Sequence, residues 1–552
     1  MARDRSARRP AGPSARLGFG ASVTGVVALL ALLAFRTPAS PHAPQQTPAP
    51  DAQGRLVYQK WCAGCHGDSG RGDGYAATRL WPRPRDFTRA LYQVRTTATG
   101  ELPRDEDIRH VVDEGMPGTS MPAWKATLSS DERAAVVRYV KSFGNFQGNP
   151  PTAITMGSKP GGGSAAVDSG RALYRKIECW KCHGNAGRGD GPSAARLKDD
   201  FNNPIRAADL TANWRFNGGG TVEDIYRRLR TGLDGTPMPS FNDLIDGHIV
   251  SDADLWRVAM YVRSLSPEEA PRVRDVVRAD RAAALPGGPD DSAWTRVERF
   301  YLPLVGQVIE RPRNFAPAVS GVFVQAVHDG AHLAIRVSWS DQSKSPDTTW
   351  TTWRGRMART MADDSVPFDT LSPFPDRLVI QFPVSAPSGM ERPYFLMGNA
   401  DHPVYLWDWS STTGGAAEAV AHGLGRQEPI GAQPDSVTAV AAWHDGAWSV
   451  QFVRALVTAD STNRLQFAPG RAIPMSVYAW DGSNNEDGTR AAIGSWNAIY
   501  LAEPVRAGVY VWPVVAALLA FGLLLLAIRQ AQRAAAQAAP RAASEPQGME
   551  AV

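Results

Sequence analysis

Cys62 and Cys65 bracket two residues and His66 follows at once; Cys179, Cys182 and His183 repeat the arrangement. These are the only 4 cysteines in 552 residues, so no thiol remains for a disulfide framework. A thioredoxin-like redox pair needs a βαβ setting, and neither "YQKWCAGCHG" nor "YRKIECWKCHG" follows a β-branched strand. A single zinc site using both pairs would have to span the chain from Cys65 to Cys179, far beyond knuckle spacing. C-x-x-C followed by histidine is instead the attachment pattern of a c-type haem. The thiols add across the vinyl groups, and the adjacent histidine is held against the iron as proximal ligand. Two covalent haem c groups are therefore expected, on Cys62/Cys65 with His66 and on Cys179/Cys182 with His183.

An electron-carrying haem iron takes a second axial ligand, and an internal repeat points to it. "EDIRHVVDEGMPGTSMPAW" (106–124) aligns without a gap on "EDIYRRLRTGLDGTPMPSF" (223–241), at the same offset that relates the two cysteine pairs. Met121 thus matches Met238, and both are expected to ligate iron. Met116 falls opposite Leu233 and reads as a packing residue. His110 falls opposite Arg227, which has no lone pair for a metal, so it reads as a surface or supporting histidine.

The surrounding elements must hold these ligands around a porphyrin. Amphipathic segments, "GRLVYQKW" from 54 and "GRALYRKIE" from 170, lead into each C-x-x-C-H. Each unit closes on a capped helix, Ser129 with Glu132 before "RAAVVRYVKSF" and Ser251 with Asp254 before "LWRVAMYVRSL". On these motifs, with "GRGDG" after each histidine and "PRDFT" at 84–88, residues 51–146 and 168–268 each resemble a class I cytochrome c. The resemblance implies small all-α domains that transfer electrons.

Haem c is attached outside a bacterial cytoplasmic membrane, and the chain ends suit that destination. Residues 1–16 carry Arg3, Arg5, Arg8, Arg9 and Arg16, and 17–36 begin with an apolar stretch that reads as a signal peptide or, preferably, a retained anchor. Residues 509–528 are uncharged and long enough to span a bilayer. Arg529 and Arg533 follow, which puts the tail, 529–552, in the cytoplasm by the positive-inside rule. The expected location is the inner membrane, with the bulk of the chain in the periplasm. Pro- and Gly-rich linkers occupy 37–50 and 147–167, and a charged connection runs over 269–290. A net charge of +4 over this length gives no sign of a nucleic-acid partner.

Residues 291–505 are built of short alternating runs: "HLAIRVSW" (332–339), "DRLVIQFPV" (376–384), "AWSVQFVRAL" (447–456) and "PMSVYAW" (474–480). Such alternation between turn signals predicts an antiparallel sandwich. The whole is then a multidomain chain: two small all-α cytochrome c domains plus an all-β sandwich, with N- and C-terminal transmembrane helices. The order of "WSD" (339–341), "RPYFLMGNADHPVYLWDW" (392–409), "WSVQFVRAL" and "SVYAWDGSN" (476–484) is similar to the haem-binding γ subunits of ethylbenzene dehydrogenase and its relatives. The resemblance implies a b-type haem between a methionine and a lysine, and service to a periplasmic molybdopterin enzyme of the DMSO reductase family. The methionine maps onto Met397. The lysine does not carry over: Arg490 stands in its place, and the only lysine from 291 to 505 is Lys344. Either a substitute such as His402 or His444 serves, or the module holds no haem b and acts as a docking domain.

No nucleophile or acid/base constellation accompanies the haem motifs, and two axial ligands at each argue against peroxidase chemistry. The expected function is single-electron transfer between a respiratory redox enzyme and a membrane or periplasmic partner. The contrasting reading is a substrate-binding or scaffolding subunit with accessory haems.

Overall fold

The computed structural model describes residues 50–147, 151–349, 374–387, 389, 391–503 and 508–538. The expected N-terminal hydrophobic segment lies outside them.

The first helical module runs α1 (Pro50–Trp61), α2 (Ala63–His66), α3 (Asp105–Glu114) and α4 (Ser130–Lys141). The second repeats it as α5 (Ser164–Lys176), α6 (Trp180–His183), α7 (Val222–Thr231) and α9 (Asp252–Ser264), with a short α8 (Asn242–Asp246) inserted. Both predicted caps form as complete capping boxes at Ser129 and Ser251, satisfying first-turn amides that would otherwise lack partners. The opening and closing helices of each module cross at a glycine. A Cβ on Gly54 would sit 2.3 Å from the Ala135 carbonyl oxygen, and one on Gly170 would sit 2.0 Å from that of Arg257. Glycine in a helix interior costs about 0.5–1 kcal/mol relative to alanine, and here it is what permits the close approach. Val57, Ile108, Val112, Val136 and Val140 build the first core; Ile225, Leu229, Leu255, Trp256 and Val258 build the second.

Among the described residues from 276 to 501 the strands form one fourteen-stranded mixed sheet. Its strands are β1 (Val276–Arg281), β2 (Phe300–Pro303), β3 (Val305–Gly306), β4 (Gly321–His328), β5 (His332–Ser340), β6 (Arg377–Pro383) and β7 (Val404–Ser410). They continue as β8 (Ala416–Ala421), β9 (Gln427–Pro429), β10 (Thr438–His444), β11 (Ala447–Ala455), β12 (Ala472–Trp480), β13 (Ala492–Ile493) and β14 (Asn497–Leu501). The main path is β10-β11-β5-β4-β1-β14-β12-β6-β7-β8-β9. The four alternating runs read from sequence are β5, β6, β11 and β12.

Two expectations need correction. The sheet is not purely antiparallel, because β1 pairs parallel to both β14 and β4. Moreover β1 lies inside 269–290, the stretch read as a connection. Its inner residues, Val277 and Ala279, are fully buried, while Arg278 and Asp280 pair with each other on the outer face at 2.6 Å. The two arms of the sheet are continuous through β12, whose first half pairs with β14 and second half with β6. Val324, Ile335 and Trp339 from one arm share a core with Ile380, Phe382 and Trp407 from the other, so the arms bury one apolar interior as the layers of a sandwich do.

Side chains join the modules. Gln342 donates to the carbonyls of Arg188 (3.3 Å) and Ala207 (3.2 Å) and accepts from Arg206 at 2.8 Å. It fits against bare Gly189, where a Cβ would lie 2.2 Å from its amide nitrogen. Helix α10 (Gly508–Ala538) is long and apolar enough to cross a membrane, and none of its apolar stretch is buried.

Candidate functional site

Each cysteine pair lies at one turn of helix: Cys62 and Cys179 are the N-cap residues of α2 and α6, and Cys65 and Cys182 lie within them. The turn is closed by His66 N–H donating to the Cys62 carbonyl and His183 N–H to that of Cys179, each at 2.9 Å. The glycine-rich loop then folds back identically: Gly72 N–H bonds the His66 carbonyl and Gly189 N–H that of His183, both at 2.8 Å. Gly67 and Gly184 take positive φ, and a Cβ on either would strike the carboxylate of Asp73 or Asp190 within 2.0 Å. Gly67 and Gly184 thus leave the room that the aspartate of each "GRGDG" occupies. All four thiols are free, so neither pair is a disulfide. Burial pushes the Cys62 and Cys179 thiols up to about 12, with the companion cysteines adding to the rise.

The two histidines are braced alike. His66 Nδ1 lies 3.0 Å from the Arg85 carbonyl oxygen and His183 Nδ1 lies 3.0 Å from that of Ala208. A carbonyl can only accept, so Nδ1 carries the proton and Nε2 presents its lone pair. Burial lowers both imidazole pKa values, favouring the neutral form that a metal needs.

The methionine loops also superpose in their hydrogen bonds. Met116 N–H donates to the Met121 carbonyl and Leu233 N–H to that of Met238, each at 3.0 Å. Thr119 Oγ1 accepts from Met121 N–H and Thr236 Oγ1 from Met238 N–H, at 3.1 and 3.2 Å. Met116 therefore occupies the place of Leu233, as the repeat predicts. His110 is exposed on α3. Each module thus offers two thiols, a neutral imidazole nitrogen and a thioether, with an apolar core behind them. This donor set fits a covalently attached haem with histidine and methionine as axial ligands.

The surroundings of Met397 differ. It is fully buried among Val379, Leu396, Val404, Tyr478 and Trp480, and its sulfur accepts from Gln427 Nε2 at 3.1 Å. His402 and His444 are both exposed, and His444 pairs with Asp290 at 3.0 Å. Lys344 is exposed beside the Trp448 ring. Arg490, buried near Glu486 and Asp487, is a guanidinium without a lone pair for iron. Among the described residues, this set does not fit a haem b with methionine and lysine ligands.

The aspartates of "WSD" and "AWDG" serve the fold. Asp341, Asp376 and Asp481 are buried with carboxylate oxygens within 4.8 Å of one another. Gly482 N–H and Trp448 Nε1–H each donate to Asp376 at 3.0 Å, and Arg206 reaches Asp481 across the module boundary at 3.5 Å. Burial and mutual repulsion hold Asp341 and Asp376 well above the usual carboxylate range.

Comparison with known proteins follows these boundaries. Residues 49–140 match the family described as cytochrome c oxidase, cbb3-type, subunit III; 167–266 match cytochrome c; 291–429 match ethylbenzene dehydrogenase. A protein of Haloferax mediterranei named as a respiratory nitrate reductase haem subunit is 25% identical over 211 residues, 38% of this chain and 67% of that protein. A chain of the reducing HAO-like protein complex of Kuenenia stuttgartiensis is 42% identical, covering 39% of this chain and 96% of that one, with a TM-score of 0.36. A family 9 carbohydrate-binding module from Caldicellulosiruptor kristjanssonii is 9% identical over 42% of this chain and 97% of its own, with a TM-score of 0.23. With both C-x-x-C-H turns and both methionine loops built alike, the chain is a tandem of two cytochrome c domains joined to an ethylbenzene dehydrogenase-like domain.

Proposed function

We propose that this chain is a membrane-anchored dihaem cytochrome c that passes single electrons between a respiratory redox enzyme and a partner in the same membrane or the periplasm. The observation that carries the reading is the paired bracing of His66 by Arg85 and of His183 by Ala208, together with two methionine loops built on the same hydrogen bonds. Attached haem c supplies one-electron chemistry through its iron. The chain's part is to keep each imidazole neutral and oriented and to hold each thioether in a hydrogen-bonded loop. Ligands prepared on both sides leave no coordination position for substrate, which favours electron transfer over peroxidase or reductase chemistry.

Resemblance to a respiratory nitrate reductase haem subunit supports a respiratory complex as partner, and the ethylbenzene dehydrogenase-like module is consistent with a molybdopterin enzyme in that role. The apolar stretch of helix α10, with Arg529 and Arg533 after it in the same helix, supports a membrane anchor with the haem modules on the outer side. A scaffolding role for the sheet alongside electron transfer is favoured by Gln342, which grips the loop behind His183.

Haem stoichiometry tests the reading: purified protein should carry two covalent haems per chain, and its reduced form should bind no carbon monoxide. A single covalent haem, or a reduced form that binds carbon monoxide without denaturation, would overturn it. Alkaline phosphatase inserted near residue 160 should be active and inactive when fused after Val552; the reverse pattern would sink the topology.

A further inference from the structure

A cleft of 1520 Å³ lies where the Met121 loop, the segment behind His183 and the sheet converge. Its wall carries Arg188 from the second glycine-rich loop, Arg299 from the approach to β2 and Arg336 from β5. The hydrogen-bond partners of Arg188 and Arg336 are neutral side chains. Arg188 donates to Thr211 Oγ1 (3.2 Å) and Ser340 Oγ (3.0 Å). Arg336 donates to Gln325 Oε1 (2.8 Å) and Ser449 Oγ (3.1 Å), and its buried Nε has no partner among the described residues. Arg299 stands over the Phe323 ring at 4.1 Å.

Carboxylates on the same wall are engaged elsewhere. Asp209 accepts from Thr211, Asp290 meets His444 at 3.0 Å, and Asp481 meets Arg206 at 3.5 Å. Asp290 is near enough to draw the Arg336 pKa up against the effect of burial, but not near enough to pair with it. Partial desolvation against the cleft wall lowers the Arg299 pKa although the side chain keeps solvent access, and the charges of Arg336 and Arg188 lower it further. Guanidinium does not give up its proton in this range, so the repulsion among the three persists until a counter-anion arrives.

We propose that this cleft is a binding site for a free oxyanion, gripped by Arg188, Arg299 and Arg336. The planar fork of arginine matches the paired oxygens of a carboxylate, phosphate or nitrogen oxyanion. The cleft exceeds an inorganic ion in size and also presents Trp81, Trp214 and Tyr301, so it has room for an organic body behind the anionic group. Ala208, whose carbonyl braces His183, lines the same space, which places bound charge directly behind a haem ligand.

Titration calorimetry on the full haem-loaded chain tests this, with phosphate, nitrate and benzoate as probes and ionic strength held with chloride. Saturable binding of at least one probe is expected, and the preferred probe tells an inorganic from an organic oxyanion. Arg299 is exposed, so Arg299→Glu should fold normally and weaken binding at least about tenfold, the effect of losing one charge-assisted contact. Arg274→Gln, at an exposed arginine paired with Glu298 outside the cleft, should bind like the parent. Absence of saturable binding by all three probes, as would follow if haem propionates already held these arginines, overturns the proposal. So does binding that Arg299→Glu leaves unchanged. Calorimetry does not depend on haem potentials, so failure here leaves the electron-transfer reading standing.

Discussion

Arg95 in the first haem module and Asp234 in the second form an ion pair at 2.7 Å in which the arginine side chain is fully buried. Arg95 also donates to the carbonyls of Tyr92, Ala98 and Thr231 at 3.0, 3.1 and 2.7 Å. Burial alone lowers the Arg95 pKa, and Asp234 acts against that effect. Nearby, Arg85 braces His66 with its carbonyl while its guanidinium lies against Gly235 in the Met238 loop. The residue that braces His66 is therefore in contact with the Met238 loop of the other module.

Removing the charge of Asp234 should uncouple the modules. Asp234→Ala strands a buried guanidinium, a change that costs about 3–5 kcal/mol where one partner of a buried pair is lost. The expected result is a lower unfolding midpoint and faster proteolysis within the 147–167 linker. The double variant Arg95→Leu/Asp234→Ala should recover part of the loss, because residues in direct contact are not additive. A double variant as unstable as the sum of the singles would show that the pair is not the link.

The ligand series separates three methionines. Met121→Ala and Met238→Ala should each abolish the methionine-to-iron charge-transfer band of one haem and lower its potential. Met116→Ala should leave the spectrum unchanged, since Met116 N–H supports Met121 from the position Leu233 takes in the other module. Loss of the band in Met116→Ala would mean that the repeat register does not govern ligation.

Much of this arrangement is readable from sequence because it rests on side-chain identity and spacing. The thiols, histidines and loop methionines occur twice at one offset, and β5, β6, β11 and β12 advertise themselves by alternation. What is not readable rests on the main chain. Arg85 and Ala208 brace the two histidines through carbonyls, and their side chains have nothing in common that could mark the role. Strand β1 hides for another reason: only Val277 and Ala279 face inward, too short an alternation to stand out in a charged stretch. Gly54 and Gly170 are visible as repeats, but the carbonyls they admit come from helices some eighty residues on.

Glu486 gives the sheet module a pH signature. Burial, reinforced by Asp481, raises its pKa from 4.5 to about 7. A raised acid pKa means the native state holds a proton that the unfolded chain has released, so the stabilisation is complete below about pH 4.5 and is lost as pH rises to 7. Denaturant unfolding of the parent and of Glu486→Gln across this window should show the parent losing stability relative to the variant as pH increases. Comparing slopes removes any constant effect of altering the carboxylate's bonds to Ala318 N–H and Asn484. A stability difference that is flat from pH 4.5 to 7 would refute the assignment.

The last prediction concerns Met397, whose sulfur is satisfied by Gln427 inside an apolar cluster. Haem b would have to displace that amide and find a second ligand, yet the nearest counterpart of the family's lysine is Arg490. Acid–acetone extraction should therefore remove no haem from purified protein, while pyridine haemochrome analysis should account for all iron as haem c. Met397→Leu nearly conserves volume and should leave the haem spectrum unchanged, with a stability cost under about 1.5 kcal/mol. Gln427→Ala would leave the thioether without its donor and should be similarly mild, because a sulfur acceptor is weak. Extractable haem in full stoichiometry that disappears in Met397→Leu would restore Met397 as an iron ligand. His402→Ala and His444→Ala would then identify the partner, since each offers the lone pair that Arg490 lacks.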